Sequence, residues 1–430
     1  MQGENENVLF APHAPRGVSG KLRVPPSKSL TQRALVAAAL AGEGSVVRRP
    51  LDAEDPRLLA AALEGAGFRL EWGPDGIASR GRTPVSAGEF RLGNNGTGVR
   101  FLLAQLAALP GEWTLDGSER LRQRPIAPLV EALRRLGAKI EPRVVGVTGL
   151  PLVVSGTALA GGETTLDASA SSQFVSALLL LGAVLPKGLV VRLPAPPPSR
   201  PYLDLTAEVL EAFGVRLAAR EGDTVFAVDG RALAPAEFTV EGDWSAAAFP
   251  LAAVAVAGGS VEIAGVRLGS RQGDAVVLGI LRAAGCAVAA TADGVVVGGP
   301  ATRPVEADLR DAPDTFPALS VVTAVAGGRL EGLGGLAAKE SDRLTVMTDH
   351  LRTIGYRVAR GESWFEAQGG GVRASGPGVA LDPAADHRIA MALAVAGCVT
   401  RGIRILDPGC VAKSWPGFWG DWRELVSGGS

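Results

Sequence analysis

WSAAAFPLAAVAVAGGSVEIA, residues 244–264, is apolar on every side from Trp244 to Val256, halts at a glycine pair ending in Gly259, and resumes as a short alternating segment, Val261 to Ala264. A helix that is apolar all round belongs inside a layer of other elements, so only its polar start can meet solvent or ligand. The same order of Ala/Leu-rich run, glycine and strand recurs six times, with the glycine at Gly44, Gly111, Gly188, Gly259, Gly328 and Gly402, 67 to 77 residues apart. A near-constant period points to one supersecondary unit copied along the chain. A second marker, Leu-x-x-x-Gly followed by an apolar residue, closes another helix at Leu63 to Phe68, Leu133 to Ala138, Leu210 to Val215, Leu281 to Cys286 and Leu351 to Tyr356. Each copy therefore holds two helices and several strands, which predicts an α/β protein of six βαβαββ units.

Helices are predicted over Leu30–Ala41, Pro56–Gly65, Val99–Ala108, Ile126–Leu136, Ser172–Val184, Leu203–Phe213, Trp244–Val256, Asp274–Ala284, Phe316–Val325, Ser341–Ile354, His387–Ala396 and Trp415–Leu425. Three units fall between Lys21 and Thr239 and three between Val240 and the C-terminus, so the chain divides into similar halves. The first twenty residues contain a strand-like Val8-Leu9-Phe10 that could complete either half, and Gly428-Gly429-Ser430 reads as a frayed tail.

With 430 residues and 47% hydrophobic content the chain is long and apolar enough for sizeable cores. A formal net charge of −1 gives no general basic field for nucleic acid or anionic membrane. Three dispersed cysteines, Cys286, Cys398 and Cys410, argue against a disulfide framework or a zinc site. Met1 to Phe10 lacks the basic-then-apolar order of a secretory signal, and the longest apolar runs are about a dozen residues where a membrane span needs about 20. A cytoplasmic protein is expected. Only six lysines stand against 37 arginines, and three of them, Lys28, Lys339 and Lys413, fall in polar clusters where a compact ammonium differs from a planar guanidinium.

Those clusters carry the chemistry. Each Ala/Leu-rich helix is preceded by one: Ser27-Lys28-Ser29 with Arg33, Asn94-Asn95-Gly96-Thr97 with Arg100, Ser171-Ser172-Gln173, Asp243-Trp244-Ser245, Asp311 with Asp314, and Asp386-His387-Arg388. Helix starts leave N–H groups unpaired and carry about half a positive charge, so several such ends together would trap anions. Singly, each reads as an ordinary helix cap. Six in register with one repeat point to a shared site. The first cluster lacks the glycines and residue order of a Walker loop, and Gly93 to Gly98 lacks the spacing of a dinucleotide fingerprint.

The motifs Ser27-Lys28-Ser29-Leu30-Thr31-x-Arg33, Gly93-Asn94-x-Gly96-Thr97-x-x-Arg100, Arg124-Pro125-Ile126, Ser171-Ser172-Gln173-Phe174, Ser199-x-Pro201-Tyr202-x-Asp204, Pro313-Asp314, Lys339-Glu340-x-Asp342-Arg343-Leu344, Asp386-His387-Arg388-x-Ala390-Met391 and Lys413-Ser414-x-Pro416 run in order along the chain. In them the chain resembles the 5-enolpyruvylshikimate-3-phosphate synthase family, which transfers an enolpyruvyl group from phosphoenolpyruvate to shikimate 3-phosphate. The resemblance implies a two-domain, inverse α/β barrel-like enolpyruvyl transferase fold with three units per domain. It implies domains at 21–240 and at 1–20 plus 241–430, with the active site in the cleft between them. Shikimate 3-phosphate would be held by Lys28, Ser29, Arg33, Ser171, Ser172, Gln173, Ser199, Tyr202, Asp314 and Lys339. Phosphoenolpyruvate would be held by Lys28, Asn94, Gly96, Thr97, Arg124, Gln173, Arg343, Arg388 and Lys413. Asp314 is then the base for the ring hydroxyl, with Glu340 and Lys28 sharing the other proton transfers. No metal or cofactor is implied, and the partners are the two small substrates, bound by a monomer.

Four positions depart from the family's usual pattern: Asn95 where alanine is common, Phe101 where proline is frequent, Trp244 in place of a small residue, and Gly335 where an asparagine usually contacts the substrate phosphate. The first two bear on the shape of the phosphoenolpyruvate pocket, which the sequence leaves open. Two alternatives are a sister enzyme acting on UDP-N-acetylglucosamine and a homologue that binds anions without turnover. The sister commonly uses a loop cysteine near its second unit, and this chain has none before Cys286.

Overall fold

The structure, a computed structural model, describes residues 8–230, 232–370 and 378–428. The tail residues Gly429 and Ser430 and the first seven residues of the N-terminal stretch lie outside the described residues. The chain forms two compact units, Pro26–Glu241 and Met1–Pro25 with Gly242–Ser430. Each has its own hydrophobic core.

In the first unit one module shows the pattern plainly. Gly162–Thr165 runs parallel to Leu189–Arg192, which pairs antiparallel with Val225–Val228, and that strand pairs with Leu217–Glu221. The helix Gln173–Gly182 makes the parallel crossover and Pro201–Ala212 leads into the final hairpin. This is a βαβαββ unit. Ala87–Arg91, Gly111–Asp116, Leu152–Gly156 and Lys139–Pro142 repeat it. The remaining module is closed out of order: its leading strand, parallel to Val46–Arg48, is Glu237–Thr239 from the far end of the unit.

The second unit uses the same device. Val18–Arg23, which precedes the whole first unit in sequence, is the leading strand parallel to Gly259–Ala264, paired along its full length. A boundary at residue 20 would cut this strand; the chain changes unit between Pro25 and Pro26. Val8–Phe10 lies antiparallel to Ile403–Leu406 at the edge of the last sheet. That last module lacks the second sequence marker because Phe418–Ser427 stands as its second helix and its outer strand comes from the N-terminus.

The apolar first helices fill the interior of each unit. Trp244–Ala257, Phe316–Ala326 and His387–Val399 pack against one another in all three pairings, as Gly96–Ala108 does with Gln173–Gly182 in the other unit. Every residue from Trp244 to Val256 is buried. The sheets lie outside them and alternate buried with exposed side chains, as a half-solvated sheet must. The marker glycines follow from backbone geometry: at Gly259 (φ +97°) and Gly328 (φ +119°) an added Cβ would lie 2.1 Å from the carbonyl oxygen of Val18 or Val305 on the parallel neighbour. Only glycine permits both the left-handed backbone and the close strand. The Leu-x-x-x-Gly turns are Schellman closures, with N–H to C=O bonds from Ala138 to Leu133, Val215 to Leu210, Cys286 to Leu281 and Tyr356 to Leu351 at 2.9 to 3.1 Å.

Candidate active site

Five of the six modules bring the starts of their two helices into contact. Lys28 Nζ meets Asp55 at 3.0 Å, Arg124 donates to the Asn94 carbonyl at 3.2 Å, and Ser172 Oγ donates to the Ser199 carbonyl at 3.3 Å. In the other unit Ser245 Oγ meets Asp274 at 2.5 Å and Arg343 donates to Asp314 at 2.7 Å. The fold thus gathers polar side chains at one kind of place, two helix starts per module, where N–H groups already favour anions.

In the first unit Ser27 caps the helix Lys28–Ala41 and Asn95 caps Gly96–Ala108. Arg33 is wholly buried, donating to Thr206 Oγ1 (2.9 Å), the Ser29 carbonyl (2.9 Å) and Ser176 Oγ (3.3 Å), between the rings of Phe101 and Tyr202. Burial lowers its proton affinity to about 10, partly offset by Tyr202, so it stays a cation near neutral pH. Arg100 grips Gln173 Oε1 with one arm and the Pro125 carbonyl (2.7 Å) with the other, fixing both Gln173 and the segment that carries Arg124. Gly96 makes room for Arg124, since a Cβ there would lie 2.6 Å from the guanidinium. Asn94 and Thr97 are half-buried beside it, as are Ser29, Ser171, Gln173, Ser199 and Tyr202 in their clusters.

In the second unit Arg343 is the hub. Fully buried at the start of the helix Arg343–Thr353, it donates to Asp314 (2.7 Å), Glu340 (2.7 Å) and Asp386 (2.8 Å). Asp314 also meets Lys339 at 3.3 Å and Arg388 through its other oxygen. Asp386 caps His387–Val399, accepts from the Arg388 N–H at 3.0 Å and from Ser341 Oγ at 3.0 Å, and so holds both arginines in register. Lys413 is buried at the end of the short turn Pro408–Lys413, which packs on the same helix. Burial works to raise the proton affinity of Asp314, but Arg388, Lys339 and Arg343 more than offset it and hold the carboxyl well below the usual range. Asp274 goes the other way, to about 7, through burial and then repulsion from Asp314, with Arg388 and Ser245 opposing.

The structure therefore brings Asp314, Lys339, Glu340, Arg343 and Arg388 into one contact network. The first-unit residues form a second set linked through Arg33, Arg100 and Asn94. Sequence reasoning passed over Asp55 and Asp274 as site residues, and placed Arg100 in a polar cluster without giving it a ligand. Asp55 and Asp274 occupy the second helix start of their modules, the position Arg124 and Arg343 hold in theirs, so the repeat carried the signal.

Of the departures, Asn95 does not open toward ligand: it is wholly buried, accepting from Gly98 N–H and donating to the Asp55 carbonyl, both at 2.8 Å. Phe101 is fully buried under Arg33, and Trp244 is fully buried, its backbone N–H donating to Gln272 Oε1 at 3.1 Å. Gly335 is exposed, with nothing within 4 Å of an added Cβ.

The profile of EPSP synthase (3-phosphoshikimate 1-carboxyvinyltransferase) matches residues 12–422, and the chain belongs to that family. It is 41% identical over 410 residues to the 3-phosphoshikimate 1-carboxyvinyltransferase of Methanoculleus marisnigri, covering 94% of this chain and 96% of that one. It is 39% identical to the protein of that name from Syntrophobacter fumaroxidans, covering 96% and 98%. A solved EPSP synthase from Acinetobacter baumannii superposes with a TM-score of 0.77 at 28% identity, covering 97% of this chain and 98% of that one.

Proposed function

We propose that this chain is a 3-phosphoshikimate 1-carboxyvinyltransferase, moving the enolpyruvyl group of phosphoenolpyruvate to the 5-hydroxyl of shikimate 3-phosphate with release of phosphate, in aromatic amino-acid biosynthesis. The observation that carries this reading is the end-to-end similarity to enzymes of that name, with motif residues falling on the repeat's helix starts. Two substrates bring two phosphates and two carboxylates, and arginine forks suit such oxygens. Lys28, Ser29, Arg33, Ser171, Ser172, Gln173, Ser199, Tyr202, Asp314 and Lys339 hold shikimate 3-phosphate. Lys28, Asn94, Gly96, Thr97, Arg124, Gln173, Arg343, Arg388 and Lys413 hold phosphoenolpyruvate.

Asp314 takes the proton of the 5-hydroxyl as its oxygen attacks C2 of phosphoenolpyruvate, while Glu340 and Lys28 deliver a proton to the methylene carbon. The tetrahedral ketal then loses that methyl proton and phosphate, restoring the enol. Asp314 would be a weak base while Arg343, Arg388 and Lys339 hold it; substrate anions compete for those cations, so binding raises its proton affinity when a base is needed. The remaining cations offset charge gathering on the departing phosphate. The protein works as a monomer in the cytoplasm, a reading that fits its free cysteines and the absence, among the described residues, of any helix long and apolar enough to cross a membrane.

The test is phosphate release from phosphoenolpyruvate with shikimate 3-phosphate or with UDP-N-acetylglucosamine. Release with the first alone is expected. Release with the second, or with neither, overturns the assignment.

A further inference from the structure

Asp55 has no part in the reaction above, yet it sits against a side chain on which that reaction depends. Its Oδ2 lies 3.0 Å from Lys28 Nζ, with the two side chains only 4% and 10% exposed. Asp55 stands in the first turn of the helix Glu54–Gly65, and its backbone carbonyl accepts from Asn95 Nδ2 at 2.8 Å. Asn95 in turn caps Gly96–Ala108. Three helix starts are thereby tied together: Lys28 on the first, Asp55 on the second and Asn95 on the third. The Asn95 amide spans the gap between the second helix start and the third.

We propose that Asp55, braced by Asn95, is a positioning residue for phosphoenolpyruvate, fixing the Lys28 ammonium without itself touching substrate. The inference rests on the reading of Lys28 as a phosphoenolpyruvate ligand. A lysine ammonium rides on a flexible four-carbon stem, so a fixed carboxylate selects one of many placements. The helices packed against Lys28–Ala41 bring other charges, but Arg100 is bound to Gln173 and the Pro125 carbonyl, and Asp204 to Arg220. Glu54 and Arg33 lie on the neighbouring and the same helix, while Asp55 is in hydrogen-bond contact. The Asn95 bond holds the backbone of Asp55 rather than its carboxylate, so it sets where that helix start lies.

The experiment compares wild type, Asp55→Asn, Asp55→Glu and Asn95→Ala by steady-state kinetics with both substrates, folding being checked by circular dichroism. In Asp55→Asn the KM for phosphoenolpyruvate rises about tenfold while that for shikimate 3-phosphate stays within about threefold. Asp55→Glu returns the phosphoenolpyruvate KM toward wild type. Asn95→Ala raises the same KM about threefold. A folded Asp55→Asn enzyme with the wild-type phosphoenolpyruvate KM overturns the proposal, as does an Asp55→Glu enzyme no closer to wild type; if Asp55→Asn does not fold, an unchanged phosphoenolpyruvate KM in Asn95→Ala overturns it. Wild type that releases no phosphate with these substrates defeats the functional reading instead.

Discussion

Replacing Asp274 by asparagine should make the protein more stable at alkaline pH and not at acid pH. The Asp274 carboxyl is buried, receives a 2.5 Å hydrogen bond from Ser245 Oγ, and has its proton affinity raised from 3.8 to about 7 by burial, then by Asp314, with Asp243 adding and Arg388 opposing. A carboxyl raised in the folded state binds more protons there than when unfolded, so stability falls as pH climbs from the unfolded value to the folded one. From pH 5 to about 7 the loss through this group is about 1.4 kcal/mol per pH unit, about 3 kcal/mol in all, reduced to about 2 if Arg388 shifts to meet the new charge. Asparagine nearly matches aspartate in shape, can still bond Ser245, and never ionises. The variant-minus-wild-type difference should therefore grow by about 2–3 kcal/mol between pH 5 and pH 8.5. Urea unfolding followed by tryptophan fluorescence reads it, because five of the seven tryptophans (Trp244, Trp364, Trp415, Trp419 and Trp422) belong to the unit that holds Asp274. Groups remote from Asp274 titrate alike in both proteins and cancel, and Asp314, held well below the usual carboxylate range, stays ionised across this pH window. A difference that is the same at both pH values would refute the reasoning.

Asp314→Ala and Glu340→Ala should each lower kcat by about 100-fold or more while changing substrate binding far less, since general acid–base groups contribute on that scale; unchanged turnover in both would refute their roles. Gly96→Ala places a methyl 2.6 Å from the Arg124 guanidinium; the arginine must move, so the phosphoenolpyruvate KM should rise at least about tenfold with little change in melting temperature. Gly335→Asn fits an exposed site with φ −82° and an empty Cβ position, so the protein should fold normally and its KM for shikimate 3-phosphate should drop about fivefold, one added hydrogen bond being worth about 1 kcal/mol. An unchanged KM in the folded variant would remove residue 335 from the phosphate contacts.

Much of the helical framework was legible because its signals are local. The run from Trp244 to Val256 is helical in the structure, extended one residue to Ala257, because burial all round tolerates even Pro250. Ends were less legible where local chemistry competes: Trp415–Leu425 begins only at Phe418, after Pro416 and Gly417, and Asp274–Ala284 opens with the tighter turn Gly273–Val276. The short helix Glu119–Gln123, capped by Ser118, carries too little apolar pattern to stand out. Motif order singled out Lys28, Arg124, Asp314, Arg343 and Arg388, which the fold sets at or beside helix starts. It left the effect of Asn95 on the pocket open; the folded chain turns that side chain inward as a cap and brace.

Sequence alone determined the period, the glycines, the helix starts and the residue types placed on them, because steric freedom, capping and burial act over a few neighbouring residues. Tertiary structure decided which strand completes which sheet, as when Val18–Arg23 pairs with Gly259–Ala264. It also decided which charges meet: Arg343 finds Asp314 and Asp386 across 29 and 43 residues of chain, and Lys28 finds Asp55. Ion pairing and proton affinity depend on distance through a low-dielectric interior, and that distance is set by packing rather than by position in the sequence.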